Sequence, residues 1–182
     1  MKSPHLYLAS GLILLAWGMA TRAHAQTKAL LDAGAVETVR QFNLLDPRHE
    51  DLENKSAGIL IFPQITKGGI ALASEYGEGL LQVNGTTVGY YSVASASVGL
   101  TAGMATHSEI ILFMTPEALD KFKTSKGWSI GAGTGIAVMS KGRADDYDTS
   151  SLRKPVLVFV FAERGLIADL SLRGSKINKI AK

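Results

Sequence analysis

The stretch that decides the fold is residues 58–103, GILIFPQITKGGIALASEYGEGLLQVNGTTVGYYSVASASVGLTAG. Short apolar runs alternate there with Gly, Ser and Ala, and the charged residues are Lys67, Glu75 and Glu78 alone. Alternation with a period of two marks β-strands, because successive side chains leave a strand on opposite faces. Asn84-Gly85 stands between two such runs and is the strongest short hairpin signal, since both residues tolerate the positive φ of a tight turn. Small residues along one strand face let another layer pack closely, line a groove, or turn a barrel corner.

Toward the C-terminus, Ile110–Met114 is apolar on both faces, which predicts a central strand. Thr115-Pro116-Glu117 then predicts a helix over 116–125. The hydroxyl serves as N-cap, proline fits the first turn, and the acid complements the dipole. Leu119 and Phe122 would face the core, and Lys126-Gly127 would close the helix. Alternation returns over 128–138 and 166–172, around a fully apolar run at Val156–Phe161. Toward the N-terminus, Leu31, Ala35, Val39, Phe42 and Leu45 fall near one face of a helix over 27–45. Asp46-Pro47 ends that helix, and a shorter one over 49–55 follows. Ile59–Phe62 reads as a strand ended by Pro63. These elements predict one α+β domain over residues 26–182. Its Gly-rich, mainly antiparallel sheet curls into a sandwich or partial barrel, with the N-terminal helices and the internal helix packed on it.

The first 25 residues read differently. Lys2 and His5 precede an apolar run from Leu6 to Trp17, and Ala23-His24-Ala25 has the small-x-small pattern of a leader cleavage site. The expectation is a signal peptide cut between Ala25 and Gln26, and a periplasmic or secreted protein. The apolar run is too short to span a bilayer comfortably. Most of the net charge of +3 leaves with Lys2 and Arg22, so the basic pI is no argument for nucleic acid. What remains is uneven: residues 26–53 carry −3 and residues 54–182 carry +4. A basic region of this kind can meet anionic head groups. The chain has no cysteine, which excludes disulfides, thiolate metal sites and a lipidated N-terminal cysteine.

Catalytic motifs are offered and declined. Gly127-Trp128-Ser129-Ile130-Gly131 matches GxSxG, but a nucleophile elbow needs a strand before it and a helix after it. Here a helix is predicted before and a strand after, and no histidine follows His107. The glycines at 131–135 open no helix, so no nucleotide cofactor is implied. His49 and His107 lack metal-ligand spacing, and Asp145, Asp146 and Asp148 lack the pattern of a calcium loop. Glu75 and Glu78 read as turn residues bonding backbone amides. Neither an enzyme, nor a cofactor, nor a metal is expected.

A set of short pieces carries a resemblance across most of the chain. They are Gly58–Pro63, Thr66–Gly69, Glu75–Gly79, Val88–Tyr91, Ala96–Leu100, Ala102-Gly103, Phe113–Thr115, Gly127-Trp128, Leu152–Lys154 and Leu172–Ile177. In order and approximate spacing they resemble the SYLF-domain family from about residue 28 onward. Ala73-Ser74, where that family more often has two glycines, and Ser92, where Asn is common, are small-for-small departures. The family includes secreted bacterial lipid-binding members and eukaryotic members linked to phosphoinositides and actin. The resemblance implies non-enzymatic binding of an anionic phospholipid, of phosphoinositide type, or of a membrane surface. Lys67, Arg153, Lys154, Arg173 and Lys176 are the candidate head-group residues. The alternative is a structural or interaction protein of the cell envelope without a specific lipid ligand. A membrane barrel is a third class, opposed by the low aromatic content and the internal helix. Protein partners are not indicated.

Overall fold

The computed structural model describes residues 27–130, 135–140, 150–165 and 175–182; within these, the side chains at 70–72, 97–102, 140, 163 and 165 are not described. The expected leader, the alternation over 166–172, and Arg173 lie outside the described residues.

Two helices lead. α1 spans Lys28–Leu45, with the Thr27 hydroxyl accepting from the Leu30 amide, and α2 spans Arg48–Lys55. They are followed by one very long hairpin. β1 (Gly58–Val83) and β2 (Thr86–Phe113) pair antiparallel from Gly58↔Phe113 to Val83↔Thr86. Asn84 (φ 50) and Gly85 (φ 73) make the turn, both in the left-handed region that the Asn-Gly pair supplies. The strands expected as separate runs within 58–113 are therefore halves of two continuous ones. Pro63 does not end the first. It falls in the register shift between Phe62 and Ile65, where a residue without an N–H is tolerated.

Fully extended, a strand of this length would span about 85 Å, several times the ~15 Å radius of gyration of a domain this size. The hairpin therefore folds back on itself. A Cβ on Gly79 would overlap the Ile61 carbonyl oxygen and lie 2.5 Å from the Phe62 ring, and one on Gly77 would lie 2.7 Å from Ile65. The two halves of β1 thus run antiparallel past each other, and glycine is what permits that approach.

The rest of the sheet is added to the other edge of β2. α3 (Pro116–Thr124) follows the hairpin, capped as expected by Thr115, whose hydroxyl accepts from the Ala118 amide. β3 (Trp128–Ser129), β4 (Ile136–Ser140), β5 (Val156–Gly165) and β6 (Lys176–Ile180) complete the order β3-β6-β2-β5-β4, with β1 on the opposite edge of β2. β6 pairs with the first half of β2 and β5 with the second. All pairings are antiparallel except β4 with β5. The result is the α+β architecture expected: a curled, mainly antiparallel sheet that goes most of the way to a barrel. Among the described residues, β3 and β4 are its two ends.

Both faces of the curl are buried. The inner face carries Leu60, Phe62, Ile65, Leu81, Tyr91, Val93, Ile111, Val158 and Ile177, closed by Leu119 and Phe122 of α3. The outer face carries Ile59, Ile61, Leu80, Tyr90, Ile110, Leu112, Leu157 and Phe159, covered by Leu31, Ala35 and Phe42 of α1. Residues 110–113 are fully buried between β1 and β5, as two-sided apolarity predicts. The Tyr90 hydroxyl donates to Asp32 at 2.8 Å and Lys28 pairs with the same carboxylate, which fixes α1 on the sheet. His49 of α2 stacks on Phe42 with centroids 3.9 Å apart, and its Nδ1–H donates to the Phe42 carbonyl at 2.6 Å. Leu45, expected on the buried face of α1, is exposed.

Candidate functional site

Among the described residues β3 and β4 are not paired with each other, and a groove of about 490 Å³ lies in the seam between them. Its apolar lining is Trp128 of β3, Ile136 of β4, Pro155, and Val156 of β5. Ala118, Thr115, Glu117 and Lys121 from α3 and its cap form the third wall. The lining is continuous with the inner core, since Trp128 and Ile136 pack against the inner-face cluster that includes Val156. Trp128 is held edge-on by Phe122 (5.6 Å, 87°) and Phe113 (6.1 Å, 67°).

Among the described residues one cation lines this groove and others stand next to lining residues. Lys121 lines it directly. Arg153 and Lys154 are exposed, and a 3-10 turn over Ser151–Arg153 sets Lys154 next to Pro155 on the rim. Lys176 is exposed, pairs in register with Ser129, and runs across Gly127, where an added Cβ would meet its Cε at 2.5 Å. Gly127 has φ +88, a conformation that itself favours glycine. Of the five candidate head-group residues, Arg153 and Lys154 directly precede the lining residue Pro155 and Lys176 pairs in register with the lining residue Ser129, but none of the three is part of the lining itself. Lys67 is separated from them: it is 5% exposed, pointing into the barrel, which removes it from any surface patch. Arg173 is outside the described residues. Ser129 is exposed on the groove lining, in a strand preceded by α3, so no elbow surrounds it.

Lys67 belongs to a second feature that sequence reading did not assemble. One end of the barrel interior is polar. His107 and Glu109 share the inward face of β2 with Ile111 and Phe113, and both are buried. Glu75 faces them from β1, again buried, with its Oε1 3.3 Å from His107 Nε2 and its Oε2 accepting from the Ser95 hydroxyl at 2.8 Å. The first of these is a contact without hydrogen-bond alignment. Val93 faces Ile177, and continuing that register brings buried Ser175 level with Ser95. Six buried side-chain polar atoms lack a hydrogen-bond partner among the described residues. Both His107 nitrogens, both Glu109 oxygens and Ser175 Oγ are five of them. Glu75 and Glu78 are thus strand residues on opposite faces, not turn residues. Glu78 accepts from Tyr76 at 2.9 Å and pairs with Lys182 at 2.7 Å.

The electrostatics of this interior follow from burial. Desolvation pushes the Glu109 carboxyl up to about 8, with the neighbouring Glu75 acting in the same direction. Desolvation and the Lys67 charge push the His107 imidazole down to about 4. Burial also raises Glu75, against the Ser95 hydrogen bond and the Lys67 charge. At neutral pH Glu109 and His107 are therefore uncharged. Ser95 donates to the carboxylate and not to the imidazole, the wrong order for activating a nucleophile. Among the described residues no group of three or more His, Asp or Glu side chains is placed to hold a metal ion.

A curled, almost closed sheet with a small-residue hairpin, N-terminal helices and a seam at its free ends defines the class of domain. Residues 94–181, from the middle of β2 onward, match the family model described as Ysc84, Las17-binding protein actin regulator. The match covers just under half of the chain and agrees with the SYLF-domain resemblance. None of the curated proteins compared with the chain matches it.

Proposed function

We propose that the protein binds anionic phospholipid surfaces without catalysing a reaction, and that it does so as an exported protein of the periplasm or cell exterior once residues 1–25 are removed. The observation that supports this reading most is an apolar seam lined by Lys121, with exposed Arg153 and Lys154 just before its Pro155 and Lys176 paired in register with its Ser129. Phosphate groups, of phosphoinositide or simpler anionic lipids, meet the cationic rim, and each basic residue near an anionic surface contributes about 1 kcal/mol. Reversing two of them reverses their sign of interaction as well as removing it.

The test is co-sedimentation with vesicles. The protein should pellet with vesicles containing anionic phospholipid and not with neutral ones. Arg153→Glu with Lys154→Glu should weaken the binding by more than about tenfold. Added salt should weaken the wild-type interaction, because screening acts within roughly 10 Å at 0.1 M. Equal pelleting with both vesicle types would remove the electrostatic mechanism. No pelleting with either would favour an envelope interaction protein without a lipid ligand. Pelleting with filamentous actin in the absence of lipid would favour the activity named in the family description.

A further inference from the structure

We propose that the seam groove is a site for a single-chain anionic amphiphile, taken up one molecule at a time. The acyl chain lies along Trp128, Ile136 and Val156, and the acidic head sits among Lys121, Lys154 and Lys176. This rests on the lipid reading above and goes beyond it, since adsorption to a surface needs no pocket.

Three features carry the inference. First, the groove is where the inner core reaches the surface. Val156 of the inner cluster lines the groove, together with Trp128 and Ile136, which pack against that cluster. An alkyl chain laid there completes the layer. Second, its volume of about 490 Å³ falls within the ~300–1,000 Å³ usual for small-molecule sites. β3 is only two residues long, so this edge gives little template for adding a peptide strand. Third, the polar groups are segregated. The lining carries one acid, Glu117, and one cation, Lys121, both on α3, while the exposed Lys154 and Lys176 stand just outside it, next to the lining residues Pro155 and Ser129. An apolar floor with a cationic rim fits an ionised head on an alkyl chain better than a neutral lipid or a sugar.

The site contains its own reporter. The two tryptophans of the chain are Trp17 and Trp128, so in the full chain carrying Trp17→Phe the single indole lies in the groove. Brominated fatty acids, used below their micelle concentration, should quench it saturably. In a series of unbrominated fatty acids competing for the site, each added pair of methylenes should tighten binding by roughly tenfold. That gain should stop once the chain fills the groove. The plateau is decisive, because partition into aggregates or bilayers keeps strengthening with chain length. Ser129→Phe, at an exposed lining position, should weaken fatty-acid binding at least tenfold. Lys154→Glu should weaken fatty acids while leaving alcohols of the same length less affected.

Absence of saturable quenching, affinity that rises without a plateau, or indifference to both Ser129→Phe and Lys154→Glu would each overturn the groove assignment. Vesicle pelleting reports the surface reading separately. Pelleting without fatty-acid binding sinks the groove alone, and plateaued fatty-acid binding without pelleting sinks the surface reading alone.

Discussion

Glu109→Gln should abolish most of the dependence of stability on pH between 6.5 and 8, and the reasoning can be followed charge by charge. In the folded state Glu109 titrates at about 8, against an ordinary value of 4.5. An acid whose folded value is raised keeps its proton in the folded chain while the unfolded chain has lost it. Folding then takes up a proton, and stability falls as pH rises through that window, by about 1.4 kcal/mol per pH unit. His107 acts in the opposite sense lower down. Its folded value is near 4 against an ordinary 6.5, so its contribution rises with pH between those values and is constant above them. His49, also lowered by burial, behaves likewise. The carboxylates held low by surface partners, Asp32, Glu37 and Asp46, lose stability only as pH falls into the acid range. Among the described residues Glu75 is the other carboxyl that is raised, with the same sign as Glu109, and it can add to this slope. From pH 6.5 to 8 the wild type should thus lose about 2 kcal/mol, or roughly 4–8 °C in Tm for a domain of this size. The glutamine keeps the shape and the neutral amide cannot ionise, so its Tm should be nearly flat over the same window, whatever its absolute value. Differential scanning calorimetry in buffers of matched ionic strength reads both slopes. A flat wild-type profile, or an equal slope in Glu109→Gln, would refute the assignment of a neutral Glu109 in the barrel.

Gly79→Ala should destabilise the domain by about 1–3 kcal/mol, because its methyl meets the Ile61 carbonyl and the Phe62 ring, and backbone cannot yield as a flexible side chain does. Urea unfolding measures it, and an unchanged midpoint would mean that the two halves of β1 do not pack as described. Intact-mass measurement of exported protein should show a chain that begins at Gln26, as the Ala23-His24-Ala25 pattern implies; a mass retaining Met1–Ala25 would remove the basis for the periplasmic location.

How much of this was legible in the sequence depends on whether the deciding interaction is local. The Asn84-Gly85 turn, the Thr115-Pro116 helix start and the buried faces of α1 and α3 are set within a few residues, and they were readable there. The continuity of β1 through Pro63 was not, because a proline is compatible with a strand only at an edge or a bulge, and both are defined by pairing with β2, some forty residues away. The same distinction separates the two polar features. Lys154 and Lys176 stood out as charge inside matched motifs, but that each neighbours a lining residue of one groove, Pro155 and Ser129, depends on the curl that brings β3 toward β4. The interior girdle had a signal that went unread. His107 and Glu109 fall on the same parity as Ile111 and Phe113, so an inward strand face carried two titratable groups. Parity alone says that they are inside; it does not say that Glu75 and Lys67 face them, because that requires the fold-back of β1 which Gly77 and Gly79 make possible. The glycines that gave the sequence its unusual composition are therefore what places four ionisable side chains in one barrel interior, and the pH profile of Glu109→Gln tests that placement more directly than it tests any ligand.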